Sequence, residues 1–242
     1  MSSAQPYTTR PSAARALFAW SVHAYTALSA LAAFAGVLAV IAADYRTAFI
    51  WMIAATVVDA TDGVLARLAR VREVLPHFDG ARLDDIVDYL TYVFLPILLL
   101  YHAGDIPRSP TGAVIASAVL LSSAYGFASL DAKTDDHFFT GFPSYWNIVA
   151  LYLHVARLSP LVNAAVLLVF VVLVFVRTGY VYPSRTPVLR GVTLALGGVW
   201  ALMVVSMVAA LPAAPRWLWI ASLFFPVYYF MLSLTLQARR RG

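Results

Sequence analysis

An all-α polytopic membrane protein, built as a bundle of about eight transmembrane helices, is the fold class that the sequence predicts. Three observations lead there. Of 242 residues 62% are hydrophobic and only 12% charged, too little polar surface to cover a water-soluble core. The apolar residues gather in runs near the length of about 20 that a helix needs to cross a bilayer. The basic residues fall between these runs with a strong bias to one side.

In chain order the runs lie near 19–43, 47–66, 86–103, 112–130, 145–158, 160–177, 187–210 and 216–237. The fifth is short and ends at Arg157, which leaves a re-entrant or tilted helix open there. No linker or internal repeat divides the chain, so residues 1–242 are expected to form a single integral-membrane domain. Before the first run, residues 11–18 have the pattern of a short interfacial helix, with Arg10 and Arg15 at headgroup depth and Leu17 and Phe18 in the acyl boundary. The apolar run that follows lacks a small-residue cleavage pattern and reads as a retained first span. With no cysteine, disulfides, thiolate metal sites and cysteine nucleophiles are excluded.

Placing both termini in the cytoplasm puts Arg10, Arg15, Arg67, Arg70, Arg72, Arg82, Lys133, Arg177, Arg185, Arg190 and Arg239 to Arg241 on the inner side. Arg46, Arg108, Arg157 and Arg216 remain outside. The positive-inside rule favours that orientation, with the loops at 67–85, 131–144 and 178–186 in the cytoplasm. The net charge of +5 is scattered between apolar segments, so anionic membrane lipids, not nucleic acid, are its expected counterpart.

Seven of the twelve acidic residues lie between positions 59 and 88. A carboxylate in a membrane helix costs a few kcal/mol unless it meets water, a partner or a cation. Asp59 and Asp62 share a helix face, and Asp84 and Asp88 share a face of the next helix. Four carboxylates turned toward one another would repel, and a hard divalent cation with oxygen ligands removes the conflict. Asp85 points about 100° away from Asp84 and reads as a solvated helix-start residue. Gly63 and Ala66 leave room for a ligand or a neighbouring helix, and Arg67 offers a planar fork to phosphate oxygens.

Written out, the segment is Asp59-x2-Asp62-Gly63-x2-Ala66-Arg67-x12-Gly80-x3-Asp84-x3-Asp88. It resembles the signature of the CDP-alcohol phosphotransferases, membrane enzymes that join a CDP-linked lipid or alcohol to a second alcohol and release CMP. Most of that superfamily has a shorter spacer between the arginine and the glycine; the twelve residues here, Leu68 to Asp79, are similar to the bacterial phosphatidylcholine synthases, which use CDP-diacylglycerol and choline. The eight-span layout and the stretch Asp135-Asp136-His137-Phe138-Phe139-Thr140-Gly141-Phe142-Pro143-Ser144-Tyr145-Trp146-Asn147 extend that likeness. Taken alone, the stretch is a loop feeding a helix, with aromatics at interface depth.

The resemblance implies a divalent-metal-dependent phosphatidyltransferase of the bacterial inner membrane, with its active site facing the cytoplasm. In it Asp59, Asp62, Asp84 and Asp88 hold Mn²⁺ or Mg²⁺, as two ions, and Asp88 is the general base. Gly63, Ala66, Arg67 and Gly80 line the CDP and diphosphate pocket. Tyr145, Trp146, Asn147 and Phe142 would receive choline, whose quaternary ammonium is held by ring faces. CDP-diacylglycerol and choline are the expected substrates, and homodimers are common in the family. Serine, glycerol phosphate or inositol is the alternative acceptor, since the metal motif reads only the CDP end. An ion-coupled transporter is the distant alternative; it lacks the discontinuous repeats such proteins show. His23, His102, His154, Asn147 and Asn163, alone on apolar runs, read as interhelical hydrogen-bonding residues.

Overall fold

A computed structural model describes residues 11–131, 138–181, 186 and 188–241. Arg10, Lys133, Asp135, Asp136, His137 and Arg185 lie outside the described residues.

The first long helix, α1 (Ala13–Ile41), starts where Ser12 accepts a hydrogen bond from the Arg15 amide. The segment expected as a separate interfacial helix runs on into it without a break. At 1.5 Å per residue its 29 residues span about 44 Å. Its outward face carries Leu17, Leu28, Leu31, Phe34 and Leu38, all exposed. Its inward face carries Ala19, Ala32, Ala33, Gly36 and Ala39 with the polar His23, Thr26 and Ser29. Large apolar residues turned outward and small or polar ones turned inward suit a helix whose solvent is lipid.

Helix α2 (Tyr45–Leu68) packs along α1. Asp44 caps it by accepting from the Thr47 amide at 3.0 Å, and the contact with Thr47 holds the Asp44 carboxyl below its ordinary range. Arg70, in the left-handed conformation, turns the chain into the four-residue α3 (Val71–Val74). Val71 and Val74 bury against Ala19 and Val22 of α1, so the long spacer folds back on the bundle.

Asp79 then starts α4 (Gly80–Asp88), accepting from the Ala81 and Arg82 amides at 3.1 and 3.2 Å. The third span therefore begins at Gly80, six residues before the sequence expectation, because the cap and first turn are polar. It runs through a six-residue π-helical turn (Tyr89–Phe94) into α5 (Leu95–Ala103). Pro96 has no N–H to return to the carbonyl of Tyr92, and the turn ahead of it widens.

Helix α6 (Pro110–Ala128), α7 (Trp146–Ala156), α8 (Pro160–Phe175) and α9 (Arg190–Ala209) follow, then α10 (Arg216–Ser222) and α11 (Phe224–Arg241) as one last span. Six of these helical segments are long and apolar enough to cross a membrane. At 11 and 16 residues, α7 and α8 reach only about 17 and 24 Å, short of a hydrocarbon core about 30 Å thick.

Between α6 and α9 a two-stranded antiparallel pair, β1 (Phe138–Thr140) with β2 (Gly179–Val181), ties the segment before α7 to the end of α8. Gly141 follows β1 at φ +79°, and a side chain there would strike the carbonyl of Val174. The main core runs through Met52, Val93, Leu95, Leu99, Trp146, Leu167 and Met207.

At the end of the bundle away from the aspartate motif, polar residues join helix ends. Tyr45 Oη lies 3.1 Å from His102 Nδ1 and His154 Nδ1 lies 2.6 Å from Asp105 Oδ2. Asn163 Nδ2 donates to the carbonyl of Asp105 at 2.8 Å. His102 thus makes the interhelical bond expected of it, while His154 and Asn163 bond Asp105 in the loop that follows α5.

Candidate active site

The site is built on the C-terminal half of α2 and on α4. Asp59 and Asp62 lie three residues apart on α2, and Asp84 and Asp88 four apart on α4. The fold brings Asp59, Asp84 and Asp88 together: each offers a carboxylate oxygen within 4.8 Å of the others, and all three are half-buried. Three anionic oxygens at this spacing in a partly desolvated place repel strongly. Their all-oxygen chemistry fits a hard divalent cation that keeps waters or substrate oxygens in its remaining positions.

Asp62 is not in that group. It is 6% exposed, and its Oδ2 accepts from Thr26 Oγ1 of α1 at 2.8 Å. A second bond crosses the same seam, Tyr25 Oη to Thr61 Oγ1 at 2.9 Å. The helical spacing placed Asp62 beside Asp59, but only the packing of α1 on α2 shows that its carboxylate meets a hydroxyl from α1.

Arg67 is exposed at the end of α2, and its guanidinium folds back over Gly63, with Nη1 3.5 Å from the place a Cβ there would take. A cation held one turn from Asp62 over bare backbone is open to phosphate oxygens. Ala66 is half-buried on the same stretch of α2 and packs toward Ala19 and Val22. Gly80 is needed for close approach: a Cβ on it would lie 2.5 Å from His23 Cε1. His23 itself is buried against Phe78, ring centroids 4.5 Å apart, and its Nε2 has no hydrogen-bond partner among the described residues. The interhelical hydrogen bond expected of His23 is not made at Nε2, and the ring serves as a wall behind Gly80.

The aromatic residues divide. Trp146 is fully buried, donates from Nε1 to Ser123 Oγ at 2.7 Å, and meets Phe142 edge to face at 5.1 Å. Phe142 also packs on Phe170. Both rings belong to the core because α6 and α8 close over them. Tyr145 is half-buried and faces Phe139 edge to face. Asn147 is buried, and its Nδ2 reaches Thr56 Oγ1, one turn before Asp59, at 3.4 Å.

Sequence reasoning passed over Tyr92. Its hydroxyl donates to Asp59 Oδ2 at 2.8 Å, from the π-helical turn that directly follows Asp88. The available signal was its spacing of four from Asp88, which puts it on the same helix face.

No family model matches the chain. It is 36% identical over 211 residues to a phosphatidylcholine synthase of Pseudomonas aeruginosa, covering 86% of this chain and 88% of that one. With a phosphatidylcholine synthase of Rhizobium meliloti the identity is 35% over 219 residues, 90% of each chain. With one of Legionella pneumophila it is 47% over 169 residues, 69% of this chain and 66% of the relative.

Proposed function

Because the chain belongs to the phosphatidylcholine synthase family, we propose that it transfers the phosphatidyl group of CDP-diacylglycerol to choline and releases CMP. The observation that carries the chemistry is the meeting of Asp59, Asp84 and Asp88 within 4.8 Å, on the motif that reads the CDP end of the substrate.

In the proposed reaction the choline oxygen attacks the lipid-side phosphorus. A new P–O bond forms to choline, the P–O bond to the CMP phosphate breaks, and CMP carries away the electron pair. Asp88 takes the choline hydroxyl proton and passes it to water. Asp59, Asp84 and Asp88 would hold Mg²⁺ or Mn²⁺, with Asp62 behind them; bound there, the metal supplies charge stabilisation on phosphoryl and leaving-group oxygens. Arg67 binds phosphate oxygens from the Gly63 face. Gly63 leaves the backbone open to the nucleotide and diphosphate, while Ala66 and Gly80 let α1 close behind the site, Ala66 toward Ala19 and Val22 and Gly80 against His23. The acyl chains stay in the bilayer.

For choline, Tyr145 is the half-buried member of the expected aromatic set, and Asn147, two residues on, bonds Thr56 one turn before Asp59. The orientation follows from the basic residues: thirteen on the inner side against four on the outer face the site to the cytoplasm, where choline and the nucleotide product are found.

The test is an acceptor panel. Purified protein in detergent is given CDP-diacylglycerol and Mg²⁺ or Mn²⁺ with choline, serine, glycerol phosphate or inositol, and the lipid product is identified. Phosphatidylcholine formed with choline alone is expected; another acceptor used in preference to choline would overturn the assignment.

A further inference from the structure

We propose that Tyr92 is a positioning residue of this site, holding the Asp59 carboxylate in the orientation that a divalent cation needs. The inference rests on Asp59 being a metal ligand. Tyr92 is 8% exposed, and a phenol has a single proton to give; here it goes to Asp59 Oδ2 at 2.8 Å. A hydroxyl donating to a carboxylate makes a charge-assisted bond. It fixes the rotation of the carboxylate, and with it the directions in which its oxygens can meet a cation. Loss of such an outer partner of a metal ligand typically weakens metal affinity by about 10–100-fold.

The hydroxyl reaches Asp59 because of the local backbone. Asp88 and Tyr92 are four residues apart, so the helix that turns Asp88 toward α2 turns Tyr92 the same way. The π-helical turn over Tyr89–Phe94, a widening frequent at functional sites, carries the ring across to α2. Tyr92 is itself held by packing in the main core. Thr56 lies one turn before Asp59 on α2. Thr56 Oγ1 donates to the Met52 carbonyl at 2.9 Å and takes the Asn147 amide at 3.4 Å. The start of α7 is thereby joined to α2 one turn before Asp59, on the helix that carries the metal side.

The experiment measures Mn²⁺ binding directly, by the electron paramagnetic resonance signal of free Mn²⁺, on purified full-length wild type and Tyr92→Phe. The Mn²⁺ concentration that half-saturates CMP release and the KM for CDP-diacylglycerol at saturating Mn²⁺ are measured beside it. Tyr92→Phe keeps the ring and the packing, so the expected result is a Kd for Mn²⁺ weakened about tenfold or more. The half-saturating Mn²⁺ should rise in parallel, with KM for the lipid unchanged. A purely structural role would instead lower the yield of folded protein and leave the metal affinity of the folded fraction as it is, and that outcome overturns the assignment. Should Tyr92→Phe not fold, Tyr92→Leu, which also lacks the hydroxyl, carries the same test, with a similar loss of Mn²⁺ affinity expected and an unchanged one fatal. Mn²⁺ bound equally by wild type and variant would remove Tyr92 alone; no Mn²⁺ bound by the wild type would remove the metal site and this inference together.

Discussion

Thr26 Oγ1 on the first helix donates to Asp62 Oδ2 on the second at 2.8 Å, with both residues buried. The bond joins two elements 36 residues apart and explains how a buried carboxylate on a membrane helix is tolerated. It predicts that Thr26→Val lowers stability by on the order of 1 kcal/mol and reduces turnover, while Thr26→Ser, which keeps the donor, restores both. Thermal unfolding in detergent and CMP release measure the two effects; equal behaviour of Val and Ser variants would remove the hydroxyl from the account.

Gly80 and His23 form a second such pair. A Cβ at Gly80 would sit 2.5 Å from the His23 ring, so Gly80→Ala is expected to destabilise by about 1–3 kcal/mol through overpacking. Shortening the opposing residue relieves the clash. The double variant His23→Ala/Gly80→Ala should therefore unfold at a higher temperature than Gly80→Ala alone, a non-additivity that a thermal double-mutant cycle reads directly.

The aspartate site should depend on metal and on Asp88 in separable ways. Chelation is expected to abolish CMP release, with recovery on adding Mg²⁺ or Mn²⁺. Asp88→Asn keeps the shape of the side chain and removes the base, and is expected to lower turnover at saturating metal by about 100-fold or more. Near-normal turnover of this variant would sink the assignment of Asp88.

Trp146 and Tyr145 are neighbours with different surroundings, and their substitutions should differ accordingly. Trp146→Ala removes a fully buried indole and its bond to Ser123, so a loss of about 3–5 kcal/mol is expected, with the requirements for lipid and choline altered together. Tyr145→Ala, at a half-buried ring, should raise the KM for choline more than that for CDP-diacylglycerol. Steady-state kinetics with each substrate varied in turn distinguish the two patterns.

Composition and apolar run length determined by themselves that the chain is a helical membrane protein, because lipid admits few other backbones. They also located the aspartate motif, since helical spacing places Asp59 with Asp62 and Asp84 with Asp88. Helix bounds were less legible: the third span starts at Gly80 because Asp79 caps it, and capping is set by a local polar geometry that apolar runs do not register. The grouping inside the site was decided only by tertiary structure. Which carboxylates meet depends on how α1, α2 and α4 cross, so Asp62 faces Thr26 while Asp59 faces Asp84, Asp88 and Tyr92. The same holds for Trp146 and Phe142, whose burial depends on α6 and α8 closing over them. Periodicity along one helix fixes which residues share a face; what that face touches is fixed by contacts between residues far apart in the chain.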